Sequence, residues 1–202
     1  MGNMNIINLD KKQQLNALSL RQFPYRINWE ITQNCNFSCA YCSNVNTVNK
    51  TRKPSIFTDQ EIQLAFEKTQ KSWLILITGG EPFLYPDFVK ICKTLTEKHH
   101  LQITSNISTA NVLDFANQID PSRIFNISAS WHKAERQKRN LQDDFEKKCL
   151  YLKEKGFNII VNLIAYPPFI DEIENDVQHF HDLGLDTMVF GFRGFYEGKH
   201  YP

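Results

Sequence analysis

Six short runs rich in Ile, Val, Leu or Phe, at residues 26–32, 74–78, 101–105, 123–128, 158–165 and 187–192, alternate along this chain with segments that read as helices. The alternation restricts the fold more than any other feature. The runs read as strands buried on both faces. The helices between them carry recognisable starts and stops. Thr58 and Glu61 form a capping box ahead of Ile62, Ala65 and Phe66, and Pro86 suits a first helical position before Phe88, Val89, Cys92 and Leu95. A shorter helix fits residues 111–118. Asp143 or Asp144 caps a helix bearing Phe145, Cys149 and Leu152 that stops at Gly156, and Asp171 with Glu174 opens another that stops at Gly184. The repeat of roughly thirty residues is the size of a βαβ unit, so the expectation is a parallel α/β fold with right-handed crossovers. Open sheet and barrel both satisfy the pattern. A complete eight-stranded barrel takes about 250 residues, more than the 202 present.

The chain is 42% hydrophobic and reads as one domain, with residues 1–25 as an N-terminal segment holding a short helix near 13–21 and residues 26–202 as the core. A net charge of +1 gives no electrostatic argument for nucleic acid or an anionic membrane. No apolar run approaches the roughly 20 residues of a membrane span, and residues 1–14 lack a secretory apolar core, so the expected location is cytoplasmic. Five cysteines, three of them clustered, fit a reducing compartment better than a disulfide framework. Cys92 and Cys149 fall on apolar helix faces and are expected in the core. His179 and His181 stand two apart on a helix and do not share a face, which argues against a metal site there.

The other three cysteines, Cys35, Cys39 and Cys42, follow the first strand directly at C-x-x-x-C-x-x-C spacing. Soft thiolates select iron–sulfur clusters, zinc or copper(I), and three ligands leave one metal position open for chemistry. A second constellation ends the second strand, where residues 73–78 run into Gly79, Gly80, Glu81 and Pro82.

The two motifs together resemble the radical S-adenosylmethionine (SAM) enzymes, with Tyr41 in the aromatic slot of C-x-x-x-C-x-aromatic-C and Gly79 to Pro82 as the GGEP element. The resemblance implies a partial (β/α)6 TIM-like barrel, here without a sixth helix, since the residues from Phe195 onward are too short and too rich in Gly and Pro to form one. It implies a 4Fe-4S cluster on Cys35, Cys39 and Cys42, with SAM on the fourth iron. It further implies reductive cleavage of SAM to a 5′-deoxyadenosyl radical that abstracts hydrogen from a substrate. Under this reading Tyr41, Gly79, Gly80, Glu81, Pro82, Asn106, Ser128, Ser130 and Asn162 bind the cofactor, Glu81 accepting from the SAM amine and Tyr41 packing near adenine. Glu81, His132 and Arg193 are the catalytic candidates, with either Trp131 or His132 facing substrate. The basic run from Lys133 to Arg139 is either a solvated face or a source of Arg136 or Arg139 for an anion. A flavodoxin or ferredoxin is the implied electron donor. The substrate is a peptide or small molecule, the pattern lying near the peptide-modifying branch without its C-terminal cluster domain. A partner or second copy is expected to cover the open barrel edge. The competing readings are a non-catalytic cysteine–metal protein, either zinc scaffold or iron–sulfur electron carrier, and a degenerate relative that binds SAM without turnover.

Overall fold

A computed structural model describes residues 22–42 and 56–201. The helix expected near 13–21 lies outside the described residues. Six strands form one all-parallel sheet: β1 (Arg26–Thr32), β2 (Leu74–Gly79), β3 (His100–Ser105), β4 (Ile124–Ser130), β5 (Ile159–Ala165) and β6 (Asp186–Gly191). Six helices are interspersed: α1 (Asp59–Glu67), α2 (Phe88–Thr96), α3 (Asn111–Gln118), α4 (Lys133–Arg139), α5 (Gln142–Glu154) and α6 (Ile173–Asp182). A hairpin of β7 (Gly194–Tyr196) and β8 (Lys199–Tyr201) follows β6 where a further helix would begin, so the expected absence of a sixth crossover helix holds among the described residues.

The strand order is the chain order, β1-β2-β3-β4-β5-β6. A parallel sheet that always steps in one direction with right-handed crossovers puts every helix on the same face. A doubly wound open sheet reverses its strand order to cover both faces, whereas this unbroken order is that of a barrel, here a partial one. β1 and β6 are not paired with each other, and the barrel stays open between them.

The strands are therefore not buried on both faces, contrary to the expectation. The outer face supplies the core: Ile31, Ile75, Ile77, Leu101, Ile103, Ile127, Ala129, Val161 and Leu163 pack against Ile62, Phe88, Cys92, Phe115, Phe145, Cys149 and Phe180 from the helices. Cys92 and Cys149 are wholly buried there, as expected. The inner face takes the alternate positions, and many of these are polar. On β6, Met188, Val189 and Phe190 are 40%, 46% and 43% exposed because no helix follows to cover that strand.

Local sequence explains most boundaries. The capping box forms as read, with Thr58 accepting from the Glu61 amide and Glu61 accepting from the Thr58 amide at 2.8 Å. Gly156 and Gly184 end α5 and α6 at positive φ, which a side chain would resist. Three starts differ from expectation. Pro86 stands outside α2, whose preceding residue Asp87 is left-handed, and Asp143 and Asp144 lie inside the first turn of α5 rather than capping it. Asp171 falls in a 3-10 turn (Pro167–Glu172) formed by the Pro167–Pro168 pair, so α6 begins at Ile173 with no side-chain cap. The basic run is itself helix α4, held between left-handed residues His132 and Asn140.

Candidate active site

The loop leaving β1 carries Cys35, Cys39 and Cys42 at the C-terminal ends of the strands, where the βα loops of such barrels place their chemistry. Three neighbouring segments hold it. From β2, the Gly80 amide donates to the Thr32 carbonyl and the Glu81 amide to the Asn34 carbonyl, both at 2.7 Å. The glycine pair is explained by this approach: a Cβ on Gly79 would stand 2.1 Å from the Thr32 carbonyl oxygen, and one on Gly80 would stand 2.2 Å from that of Asn34. Gly79 also sits at φ 128°. Both glycines make room for the root of the cysteine loop, a role that the expectation of close approach to a ligand had not included.

From the end of β3, Asn106 reaches the loop. Its Nδ2 donates to Asn36 Oδ1 at 2.9 Å and lies 3.9 Å from Cys35 Sγ, while Asn36 Nδ2 donates to Ser108 Oγ at 2.7 Å. The Phe37 amide also points at Cys35 Sγ, at 3.4 Å. Cys35 therefore receives two N–H groups, which by themselves favour a thiolate or a ligating sulfur, but burial outweighs them and its thiol lies above the usual value.

From α4, Phe37 is held edge-on to His132 at 6.0 Å and lies 5.4 and 5.3 Å from the guanidinium carbons of Arg136 and Arg139. The Ser38 amide donates to Glu135, which in turn accepts from Arg139 at 3.0 Å. The Tyr41 hydroxyl and His132 Nδ1 are 3.0 Å apart. Tyr41 also stacks at 5.0 Å on Tyr166, which touches Phe192 at 5.3 Å and Tyr196 at 5.6 Å, so an aromatic chain joins the cysteine loop to the β7–β8 hairpin.

Cys35 is exposed, Cys42 half-buried and Cys39 buried. Burial pushes the Cys39 thiol up to about 12, with Glu135 and the other two cysteines adding to it, so the three sulfurs feel one another's charge. Among the described residues no three His, Cys, Asp or Glu side chains converge closely enough for a single metal ion. Three thiols on one short loop, spread wider than ligands of one ion and with amide donors on one of them, suit a multi-iron cluster whose ligands bind different irons.

Glu81 lies beneath the cysteine loop rather than on its surface. Its carboxylate is wholly buried: Oε1 accepts from Ser105 Oγ at 2.7 Å and from the Phe83 amide at 3.1 Å, and Oε2 accepts from the Asn106 amide at 2.7 Å. Burial raises its pKa, while these donors and the Arg136 guanidinium pull it back. The side chain ties the ends of β2 and β3 together, with both carboxylate oxygens engaged. Pro82 is buried and opens the 3-10 turn that Glu81 caps (Pro82–Leu84).

His132 and Trp131 also differ from expectation. Trp131 turns into the helical layer, 5.1 Å from both Phe145 and Phe180. Burial, with Arg136 nearby, lowers His132 to about 4. The imidazole is uncharged at neutral pH and, within hydrogen-bond distance of the Tyr41 hydroxyl, holds that ring in place. Arg136, which the charge run had suggested for an anion, is 0% exposed and donates to the carbonyls of Trp131, Ser130 and Asn106. Its guanidinium carbon sits 4.0 Å from the Phe145 ring. Arg139 pairs with Glu135, and Lys133 with Asp176 and Glu172, both at 2.7 Å. None of these three is poised for a ligand.

Ser128, Ser130 and Asn162 do lie together on the inner face, where Ser130 stands beside Asn162 in the sheet register. Ser128 Oγ is 3.5 Å from Asn126 Oδ1, and Asn162 Oδ1 is buried with no hydrogen-bond partner. Arg193 is exposed between β6 and β7. The reading of the residues alone missed Phe37, Asn36 and the interior role of Arg136. Asn36 and Phe37 lay inside the motif, but nothing marked Arg136 as buried.

The family model described as the Radical SAM superfamily matches residues 29–184, which include all three cysteines and the Gly79–Pro82 turn but not Arg193. Over 94 residues the chain is 37% identical to the GTP 3',8-cyclase of Haemophilus influenzae, a match covering 43% of this chain and 27% of the cyclase. Over 99 residues it is 32% identical to molybdenum cofactor biosynthesis protein 1 of Homo sapiens, covering 46% and 15% respectively. Among solved structures, Streptococcus suis SuiB bound to S-adenosylmethionine superposes with a TM-score of 0.62 at 20% identity, covering 95% of this chain and 47% of that one. The native anSMEcpe structure with bound AdoMet gives 0.66 at 11%, covering 86% and 54%. The chain thus spans about a quarter of the cyclase and about half of these structures.

Proposed function

The chain belongs to the radical SAM superfamily, an enzyme family that works with a 4Fe-4S cluster and SAM, and from that premise we propose that it cleaves SAM reductively and uses the product to abstract hydrogen from a peptide or small-molecule substrate. The observation that carries the reading is the loop of three thiols fixed from three sides, by the β2 end, by Asn106 and by α4.

Cys35, Cys39 and Cys42 would hold the cluster. The cluster and SAM supply, when bound, an electron and a carbon–sulfur bond whose homolysis gives a 5′-deoxyadenosyl radical. The protein's own share is positional. Asn106 and the Phe37 amide direct N–H groups at Cys35, tempering the charge on that sulfur. Tyr41 is fixed by His132 and Tyr166 as a flat wall beside the loop, suited to stack on adenine. Glu81 and Arg136 lock the strand ends from below, so that Ser128, Ser130 and Asn162 face the interior of the half barrel as candidates to bind SAM or substrate.

The named relatives point to two substrate types. One is a GTP cyclase by name, and SuiB has also been solved bound to a precursor peptide, SuiA. Electrons would come from a flavodoxin- or ferredoxin-type donor, as elsewhere in the family. The test is anaerobic reconstitution followed by dithionite and SAM. The proposal predicts about four irons per chain and release of 5′-deoxyadenosine, both lost in Cys39→Ala and both kept in Cys92→Ala. Tightly bound zinc without SAM cleavage would sink it in favour of a scaffold, and SAM binding without product would mark a degenerate relative.

A further inference from the structure

Residues facing into the half barrel are fixed by register. Outer-face positions belong to the core, so the alternate ones point inward. Across the sheet they form rows: Asn28, Leu76, Gln102 and Asn126 in one, Thr104, Ser128, Ile160 and Asp186 in the next, and Ser130, Asn162 and Met188 in a third nearer the cysteine loop. Glu30 pairs with Thr78 at the β1 edge, and Ile164 with Phe190 at the other.

Two properties follow. Carboxamides and hydroxyls dominate from β3 to β5, and each can both donate and accept. Among the described residues, no Lys or Arg occupies these rows above Arg26, which stands at the far end of β1 from the site. Among the described residues at the rim, Arg136 is engaged on backbone carbonyls, Lys133 on Asp176 and Glu172, and Arg139 on Glu135, and the exposed Arg193 after β6 is a single cation with no second one set beside it. A triphosphate is gripped by several converging cations or by backbone amides at a glycine-rich turn, and this surface offers a carboxylate on Glu30 instead. Toward β6 the surface becomes apolar through Ile164, Met188 and Phe190.

We infer that the inner face of the half barrel binds a peptide segment, its backbone amides held by Gln102, Asn126, Ser130 and Asn162 and an apolar side chain lying against Met188 and Phe190, and that it does not bind a nucleoside triphosphate. The inference rests on the radical-forming reading above and selects between its two substrate types. A peptide repeats N–H and C=O groups along its length, which matches a surface able to give and take hydrogen bonds row after row. Asn162, in the row nearest the cysteine loop, has a buried Oδ1 without a hydrogen-bond partner.

The test is affinity selection on the anaerobically reconstituted full chain with SAM, offered a pool of acetylated, amidated hexapeptides together with GTP and guanosine, with retained compounds read by mass. Peptides are expected to be retained, GTP and guanosine are not. Retention should fall about tenfold in the Gln102→Leu/Asn126→Leu double variant, which removes two polar partners. Because that variant places leucines on a half-open face, its melting temperature is measured alongside, and Gln102→Glu, which keeps the shape, provides a second reading: the retained set should shift toward Lys- and Arg-containing peptides. Retention of GTP or guanosine overturns the inference, as does peptide retention that is absent from the native chain or unaltered in both variants. 5′-Deoxyadenosine formation is followed in parallel. Its absence would refute the radical-forming reading while leaving the binding result to decide this one.

Discussion

Gly80→Ala offers a sharp test of how the site is built. The new methyl would stand 2.2 Å from the Asn34 carbonyl oxygen, 2.5 Å from its carbon and 2.7 Å from the Gln33 oxygen, all of them backbone atoms that cannot rotate away. Ordinary contact begins near 3.4 Å, so the two strands must part by more than 1 Å. Such a displacement breaks the 2.7 Å bonds from the Gly80 and Glu81 amides to Thr32 and Asn34, and Thr32 is a buried residue with no ready replacement partner. Two lost backbone bonds at about 1 kcal/mol each, with part of the desolvation cost left unrecovered, give a loss of about 2–3 kcal/mol. For a domain of this size that is a fall of about 4–12 °C in melting temperature. Because the displaced segment is the root of the cysteine loop, iron incorporation on reconstitution should fall with it. Thermal denaturation of the apo chain and iron content after reconstitution are the assays. A variant with native melting temperature and native iron content, but weakened SAM binding, would refute the reasoning and show that Gly80 serves the ligand rather than the loop.

Other perturbations give separate readouts. Glu81→Gln replaces the acceptor facing the Asn106 amide with an NH2 group, and the apo chain should lose about 2 kcal/mol in denaturant unfolding, whereas a side chain that served only SAM would leave apo stability unchanged. Arg136→Met strips donors from the carbonyls of Asn106, Ser130 and Trp131 and should cost about 3 kcal/mol, measured the same way; a loss under about 0.5 kcal/mol would contradict its role as a clamp. His132 is depressed from 6.5 to about 4 in the fold, so the unfolded chain takes up a proton first as pH falls. Stability contributed by the neutral ring is intact above about pH 6.5 and is lost progressively toward pH 4, by about 3 kcal/mol in all. His132→Asn should flatten that part of the pH–stability curve, and an unchanged slope would show that the ring titrates normally.

Much of the fold could be read from residues alone because it depends on periodicity. The runs that became β1 to β6 are rich in Ile, Val and Leu, and each boundary fell within two residues of the run expected. The closed cysteine spacing and the glycine pair likewise identified the loop, since their chemistry is local to a few consecutive positions. Two things were out of reach. Interior polar rows looked like interruptions of buried strands, yet Gln102, Asn126 and Asn162 acquire meaning only once the register sets them side by side. Charge also misled. Lys133 to Arg139 has the composition of a solvated face, and only tertiary packing reveals Arg136 beneath the strand ends with Phe145 against it. The same packing gives Glu81 and His132 structural partners that no local pattern shows, because burial depends on neighbours distant in sequence: Ser105 and Asn106 for one, Tyr41 for the other.

The way the cysteine loop is fastened bears on how a cluster reaches it. Zinc fingers gain their shape from the ion, and without it they are unfolded. Here the loop is sewn to β2 through Gly80 and Glu81, to β3 through Asn106, and to α4 through Phe37, Ser38 and Tyr41, none of which needs iron. Those attachments reach from Thr32 to Arg139, so the full set of contacts around the loop requires every element through α4. A scaffold that donates a whole cluster would therefore approach from the Cys35 side, the exposed one of the three sulfurs, and find that part of the loop held by contacts that need no iron.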